Sequence, residues 1–273
     1  MNKLKNIPLR LRILSTLVMG TILVQPLLRR LESHDPFETN LINAKLAPGT
    51  NGFILGTDNL GRCVLCRILE GGCTSLYAAL AVVLLAFLIG TTLGMVSGYC
   101  GGIVDAVIGK VTTVFQAFPN MILAIAVAGI LGQSLQYGIW ALVAAYWTTY
   151  ARLSRSMVLT YVNADYVKAA KLCGANSIDI IRKYIFPNVA GQMVVTAALD
   201  IGSVILSMAT LSFLGLGAKR PTAEWGAAMS EAKDYLQVCP WMVIMPGIAL
   251  FIIVFLFNQE GDALRDYLDK KGK

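Results

Sequence analysis

Two long stretches of the chain contain no aspartate, glutamate, lysine or arginine, and they constrain the fold more than any other feature. One runs over residues 71–104 and the other over residues 111–151, which gives lengths of 34 and 41 residues. A helix needs about 20 apolar residues to cross a bilayer. The sequence therefore predicts an all-α integral membrane protein with several crossings, and it excludes a soluble enzyme, a nucleic-acid-binding protein and a disordered chain.

About six transmembrane helices account for the apolar segments, which we assign to one transmembrane domain over residues 1–273. The turn former Gly132-Gln133-Ser134 divides the longer uncharged stretch into two crossings. Pro119 predicts a kink in the first of these crossings. The predicted spans are residues 13–31, 74–98, 111–131, 135–151, 189–211 and 241–257.

Three glycines in the second span are spaced four residues apart, at Gly90, Gly94 and Gly98. This spacing places them on one face of a helix, where small residues let a neighbouring helix approach closely. The alternative is that lipid surrounds these glycines and that they have no packing role. The first interpretation predicts a close helix pair.

The distribution of basic residues predicts the orientation in the membrane. Six spans place both termini on the same side, and that side carries 15 lysines and arginines against 8 on the other. Cytoplasmic loops of membrane proteins carry an excess of these residues, so both termini are predicted to be cytoplasmic in a plasma membrane. Residues 152–188 then form the main cytoplasmic segment and residues 29–72 the main external loop.

The segment 163–188 has the pattern of two short helices outside the bilayer. Asn163 or Asp165 is suited to begin the first helix, and Gly174 is suited to end it. Ser177 is suited to begin the second, which is expected to stop at Pro187. Such a segment is either a knob gripped by a soluble partner or an amphipathic element lying on the bilayer surface.

One acidic residue lies far from any other charge. Asp200 has 16 uncharged residues before it and 18 after it, which places it near the middle of the fifth span. A carboxylate at that depth is costly and usually faces a cavity or a partner. We therefore consider Asp200 a candidate for the translocation path or a subunit interface, the alternative being a hydrogen-bonded structural acid.

No metal site and no catalytic residue are predicted. Cys63 and Cys66 form a single CxxC with no second pair and no nearby histidine, whereas a tetrahedral site needs four ligands. A role as small residues is favoured over metal binding for this pair. His34 is the sole histidine of the sequence, which excludes a multi-histidine metal site and a histidine-based proton relay.

The segment 163–188 resembles the cytoplasmic EAA loop of bacterial ATP-binding-cassette (ABC) importer permeases, in which Glu-Ala-Ala precedes a glycine and a later Leu-Pro. In that family the loop docks into a cleft of the ATPase subunit, and Lys168 replaces the family's glutamate here. The resemblance implies a cytoplasmic helical coupling loop whose ATPase-coupling residues are Lys168, Ala169, Ala170, Gly174, Tyr184, Phe186, Pro187 and Asn188.

Further blocks resemble the C-type permease subunit of dipeptide, oligopeptide and nickel importers. They are residues 56–62 (GTDNLGR), 211–217 (LSFLGLG) with 221–226 (PTAEWG), and 258–266 (NQEGDALRD). Residues 199–202 (LDIG) are similar to the nickel-import subunit, so nickel or a nickel chelate is the implied substrate. Import of dipeptides or oligopeptides by the same machinery is the alternative.

The resemblance also implies the partners. They are a second permease subunit in a heterodimer, two ATP-binding subunits that bind ATP and magnesium, and an extracytoplasmic solute-binding protein. This chain has no GxxxxGK[ST] phosphate loop, so we expect no cofactor and no ATPase site of its own. A secondary transporter is the alternative of another class, but such carriers often show inverted repeats and several intramembrane charges.

Overall fold

The computed structural model describes Thr16, Gly20 and residues 34–271. The predicted first span, residues 13–31, lies outside the described residues apart from Thr16 and Gly20. Between residues 34 and 271 the backbone forms helices, short 3-10 turns and loops, with isolated bridges at Thr50–Phe53 and Thr57–Cys63. The expectation of an all-α membrane protein is confirmed.

The helices of the described region differ widely in length, from 8 to 37 residues. We number them in chain order. They are α1 (Val64–Cys100), α2 (Gly102–Gln116), α3 (Asn120–Leu131), α4 (Leu135–Tyr161), α5 (Asp165–Leu172), α6 (Ser177–Phe213), α7 (Trp225–Ala232) and α8 (Trp241–Lys271).

Three of these helices, α1, α6 and α8, are each long and apolar enough to cross a membrane. Helices α2 and α3 qualify only as a pair, and they are bent by 89° at the break between them. The kink predicted at Pro119 is confirmed, but it is a sharp break between two helices, and α2 begins nine residues before the predicted span. Pro119 causes the break, since it lacks an N–H and adopts an extended ψ of 132° before α3.

The glycine ridge of α1 packs against α4. A Cβ on Gly90 would collide with the carbonyl oxygen of Trp147, and one on Gly94 would collide with that of Ala151. A Cβ on Gly98 would lie 2.9 Å from the Val158 Cβ. The prediction of a close helix pair is confirmed, and the glycines are therefore not merely tolerated in lipid.

Helices α1, α4, α6 and α8 extend well beyond the predicted spans. The segment 152–188 is helical, as predicted, and it comprises the last turns of α4, the short helix α5 and the beginning of α6. The predicted span boundaries followed hydropathy, which falls where a helix leaves the bilayer. A helix continues past that point as long as its backbone hydrogen bonds and its apolar stripe continue.

Candidate functional site

Helix α5 forms the centre of the segment that resembles a coupling loop. Ala164 occupies the N-cap position and has no side chain that could cap the helix. The prediction that Asn163 or Asp165 caps it is therefore wrong. Asp165 instead lies in the first turn, where its charge complements the helix dipole. After Leu172 the chain turns through Gly174, whose φ of +82° is the left-handed conformation that favours glycine.

Helix α5 has one buried face and one exposed face. Val167 packs into a cluster that also contains Ile180 and Ile185 of α6. Ala170 is only 7% exposed, so its small side chain serves packing within this chain. Lys168, on the opposite face, pairs with Asp165 at 3.3 Å and remains exposed.

The surface of this segment is apolar as well as basic. Leu172 is 90% exposed and Ile178 is 76% exposed, and Tyr166 is exposed as well. We call these three side chains the α5–α6 patch. The sequence pattern does not single them out, although Leu172 and Ile178 lie off the stripe formed by the buried residues of α5 and α6. Large apolar side chains that are exposed on a short helix and on the segment after it favour contact with another protein.

Helix α6 begins earlier than the sequence predicted and does not stop at Pro187. Asn176 caps it, with its side-chain oxygen accepting a hydrogen bond from the Asp179 N–H at 2.8 Å. Residues Ile180–Ile185 form a π-helical turn, in which the Phe186 N–H donates to the carbonyl oxygen of Ile181. This widened turn lets the helix continue through Pro187, which has no N–H to donate.

Two further predicted coupling residues stabilise the wide turn, and an ion pair lies beside it. The Asn188 side chain donates a hydrogen bond to the carbonyl oxygen of Tyr184 at 2.7 Å. Phe186 is exposed, whereas Tyr184 is half-buried against the cluster below α5. Lys183 donates to Asp179 at 2.8 Å, and this contact lowers the pKa of the Asp179 carboxyl.

An ion pair ties the α1–α2 turn to α4. The Arg155 guanidinium donates to both carboxylate oxygens of Asp105, with distances of 2.5 and 2.7 Å. The Ser97 hydroxyl donates to the same carboxylate at 2.5 Å. This bidentate arrangement fixes the start of α2 relative to the part of α4 that leads into α5.

Asp200 lies within α6 and faces the tyrosines of α4. Its Oδ2 is buried and has no hydrogen-bond partner among the described residues. The Tyr150 hydroxyl is its polar neighbour, although the two groups do not form a hydrogen bond of good geometry. The proximity of the Tyr150 hydroxyl is compatible with the alternative of a hydrogen-bonded structural acid.

The GTDNLGR block forms a buried ionic network at the start of α1. Asp58 accepts hydrogen bonds from the backbone N–H of Leu60 and Arg62, and its Oδ2 lies 2.6 Å from the Arg62 Nε. Arg62 also donates to Glu231 of α7 at 2.5 Å. Burial alone would raise the pKa of Glu231, but the hydrogen bond and charge of Arg62 lower it below its ordinary value.

The PTAEWG block attaches α7 to α1. Glu224 caps α7 by accepting from the Ala227 N–H at 2.8 Å, and it also accepts from the Ser75 hydroxyl of α1 at 3.0 Å. The Trp225 indole donates to the carbonyl oxygen of Ile68 at 2.9 Å. These motif residues build the fold, and they account for the sequence block without any catalytic chemistry.

The prediction that no histidine lies near the CxxC pair is wrong. His34 is 29 positions before Cys63 in the sequence, yet one of its ring nitrogens lies within 4.8 Å of both cysteine sulfurs. The loop between residues 34 and 63 folds back on itself, which brings the two ends together. A spacing pattern along the sequence could not reveal this contact.

Comparison with known proteins gives a consistent result. The sequence matches the family described as binding-protein-dependent transport system inner membrane component over residues 90–272. It is 39% identical over 244 residues to the dipeptide transport system permease protein DppC of Haemophilus influenzae, covering 88% of this chain and 83% of that relative. The nickel transport system permease protein NikC of Escherichia coli K12 is 38% identical over 236 residues, covering 86% and 85%.

Among solved structures, the chain is similar to one from the MetNI methionine ABC transporter in an inward-facing conformation. The TM-score is 0.59 at 17% sequence identity, and the match covers 74% of this chain and 96% of that chain. This similarity supports the fold.

Proposed function

This chain belongs to the family of binding-protein-dependent transport system inner membrane components, and we propose that it forms a translocation path together with a second permease subunit. Two ATPase subunits on the cytoplasmic side drive the path, and an extracytoplasmic solute-binding protein delivers the cargo. The chain is a non-enzymatic transport subunit, as its relatives are.

The observation that carries this proposal is the exposed surface of α5 and the α5–α6 turn. The α5–α6 patch is apolar and lies beside exposed lysines, and α5 is attached to the rest of the chain through the buried Val167. An apolar patch with a basic rim suits a protein partner. We assign it to the ATPase, with Ala169 and Gly174 at the surface and Ala170 beneath it.

The position of α5 explains how such a contact would move the membrane helices. It follows α4 directly and leads into α6, and its buried face packs on both through the cluster around Val158 and Ile185. A displacement of α5 by ATPase closure is therefore transmitted to α4 and α6. These helices would then rock between inward- and outward-facing arrangements.

Gly174→Val tests this proposal. A β-branched side chain tolerates the positive φ of this turn poorly, so the direction of the chain between α5 and α6 would change. We expect the complex to remain in the membrane but to lose the coupling of ATP hydrolysis to transport. The measurement is co-purification with the ATPase subunits, together with substrate-stimulated hydrolysis in the reconstituted complex.

Gly191→Val is the matched control, because a Cβ at that position meets no atom within 4 Å and its φ is ordinary. The control variant is expected to keep coupled hydrolysis. If Gly174→Val keeps both co-purification and coupled hydrolysis at wild-type levels, the segment is a surface helix and the assignment of the coupling site fails.

We propose a small peptide as the cargo, with nickel or a nickel chelate as the second candidate. Relatives named for dipeptide and for nickel transport are almost equally similar to this chain. The nickel alternative rested on residues 199–202, but a Cβ on Gly202 would lie 2.5 Å from the Asn258 Oδ1 of α8. Helix packing accounts for that glycine without reference to the cargo.

Binding of dipeptides and of nickel to the cognate solute-binding protein would distinguish the two cargoes. We also place Asp200 on the path or at a subunit interface, because the Oδ2 atom of its carboxylate is buried without a hydrogen-bond partner among the described residues. Asp200→Asn is expected to lower uptake by the assembled complex. Unchanged uptake and unchanged assembly would reduce Asp200 to a tolerated polar residue.

A further inference from the structure

Three side chains at the membrane-distal start of α1 bring metal-binding atoms together. They are the imidazole of His34 and the thiols of Cys63 and Cys66, and their donor atoms all lie within 4.8 Å of one another. Cys63 and Cys66 are buried, whereas His34 is half-buried. None of the three takes part in the coupling surface or the ionic network described above.

The fold holds the two cysteines at the N-terminus of a long helix. Cys63 occupies the N-cap of α1, and its sulfur accepts a hydrogen bond from the Cys66 N–H at 3.3 Å. The Cys66 thiol donates to the Cys63 sulfur at 2.8 Å. Both sulfurs therefore point to the same side of the first helical turn.

The imidazole is positioned from the opposite side by the loop. The His34 ring stacks on the Phe53 ring with centroids 4.5 Å apart, and Phe53 is buried against both cysteines. The Thr57–Cys63 bridge ties the loop to the start of α1. The cluster is thus built by contacts that span residues 34–66, and it is not an accident of one flexible side chain.

We propose that His34, Cys63 and Cys66 bind a thiophilic divalent cation such as Zn²⁺. Two thiolates and one imidazole form the donor set that zinc and related late transition metals prefer. On binding, each thiol loses its proton, so two protons are released for each cation that forms bonds to one nitrogen and two sulfurs. The fourth coordination position is left for water or a carboxylate.

The dimensions of the cluster fit this coordination after a small movement. Bonds of about 2.3 Å in a tetrahedral site place two sulfurs roughly 3.7 Å apart. The sulfurs of the pair are 2.8 Å apart, so they must separate by about 1 Å. A disulfide, at about 2.05 Å, would instead require them to approach and would leave the imidazole without a role.

The surroundings favour a cation. A cavity beside the cluster is lined by His34 and Cys63 and by the carboxylate residues Asp35 and Glu38. The cavity gives an ion access from solvent, and its two carboxylates add negative charge near the cluster. The site lies in the loop that is predicted to be external, and the proposal does not depend on which cargo the chain transports.

Metal binding by the purified full-length chain in detergent tests the proposal. The protein should carry an affinity tag without histidines and be prepared with a phosphine reductant, and Zn²⁺ and Co²⁺ serve as probes. We expect one Zn²⁺ for each chain, and cobalt absorption bands typical of thiolate ligands in a four-coordinate site. Zinc addition should also protect two thiols from alkylation.

Three single variants, His34→Gln, Cys63→Ser and Cys66→Ser, should each abolish stoichiometric zinc binding. Cys239→Ser is the matched control, because Cys239 is another buried thiol but lies in a separate cluster, and it should retain the bound zinc. Unchanged binding in the three variants would overturn the proposal. So would mass spectrometry showing that membrane-isolated protein carries a Cys63–Cys66 disulfide that the reductant does not open.

Discussion

Several glycines in this chain are required because another part of the backbone occupies the space of a side chain. A Cβ on Gly61 would collide with the carbonyl of Asn40, and one on Gly226 would collide with the carbonyl of Ala209. Both glycines belong to the sequence blocks that resemble the importer family. At the residue scale, these blocks therefore encode close approaches of the chain to itself.

The glycine ridge of α1 gives a quantitative prediction at the same scale. In Gly94→Ala the new methyl group would press against Ser154 and the Ala151 carbonyl, at a cost of about 1–3 kcal/mol in the free energy of unfolding. The control Gly109→Ala meets no atom within 4 Å and should gain up to about 1 kcal/mol from helix propensity. Thermal unfolding in detergent measures both.

A stability of Gly94→Ala equal to that of the control variant would contradict the packing described here. It would mean that α1 and α4 separate without loss and that Ser154 moves aside freely. A lower unfolding temperature for Gly94→Ala alone would support the close approach of the two helices.

At the scale of helices, the sequence predicted that a helix is present better than it predicted where the helix begins and ends. The span 74–98, the turn at Gly132 and the left-handed Gly174 follow from apolar runs and from glycine chemistry, which act locally. The continuation of α6 through Pro187 was missed, because a π turn depends on how Ile180 and Ile185 pack beneath α5. Packing between helices therefore overrode the local rule that a helix ends before a proline.

In the candidate site too, the sequence predicted the features that depend on local chemistry and missed those that depend on packing. The Ala, Gly and Pro positions single out the candidate coupling segment, and the left-handed conformation expected of Gly174 is confirmed. Which face of α5 is buried depends on contacts with α6, so the inward position of Ala170 and the exposed Leu172 were not foreseen. The approach of His34 to Cys63 depends on the loop fold alone.

Helix α7 is held to the loop before α1 by a buried charge pair, and this gives a prediction at the element scale. Arg62→Met would leave the carboxylates of Asp58 and Glu231 buried without their main cation, and it should destabilise the protein by about 3–5 kcal/mol. Arg62→Met combined with Glu231→Leu should recover part of this loss. Thermal unfolding of the single and double variants measures the coupling.

Acidification provides an independent check of that pair. The pKa of Glu231 is lowered in the folded protein, so its contribution to stability is present above the unfolded value of about 4.3. That contribution is lost as the pH falls through the folded value. Glu231→Gln should therefore be less stable than wild type at neutral pH, with a smaller difference at low pH. A difference that does not change with pH would contradict the ion pair.

Considered as a whole, the molecule has two specialised ends joined by long helices. At one end, the loop over residues 34–63 and α7 form a layer held by the ionic network and by Glu224. At the other, α5 and the start of α6 present the α5–α6 patch. Helices α4 and α6 contact each other and connect these ends, so a change at one end has a continuous packed route to the other.

The orientation of these two ends across the membrane is the last prediction. Both termini, and with them α5, are expected on the cytoplasmic side because of the excess of lysine and arginine there.

Cysteine labelling tests this orientation. Cys173 is exposed beside Gly174 and reports the α5 end, whereas Cys63 is buried and is a poor reporter of the loop. Ile42 is 92% exposed, so Ile42→Cys in a background without the other cysteines is the better external probe. In intact spheroplasts, a membrane-impermeant maleimide should label a variant whose sole cysteine is Ile42→Cys at once, and should label a second variant that keeps only Cys173 only after permeabilisation. The reverse pattern would place α5 outside the cell, where no ATPase could reach it, and would overturn the coupling proposal along with the topology.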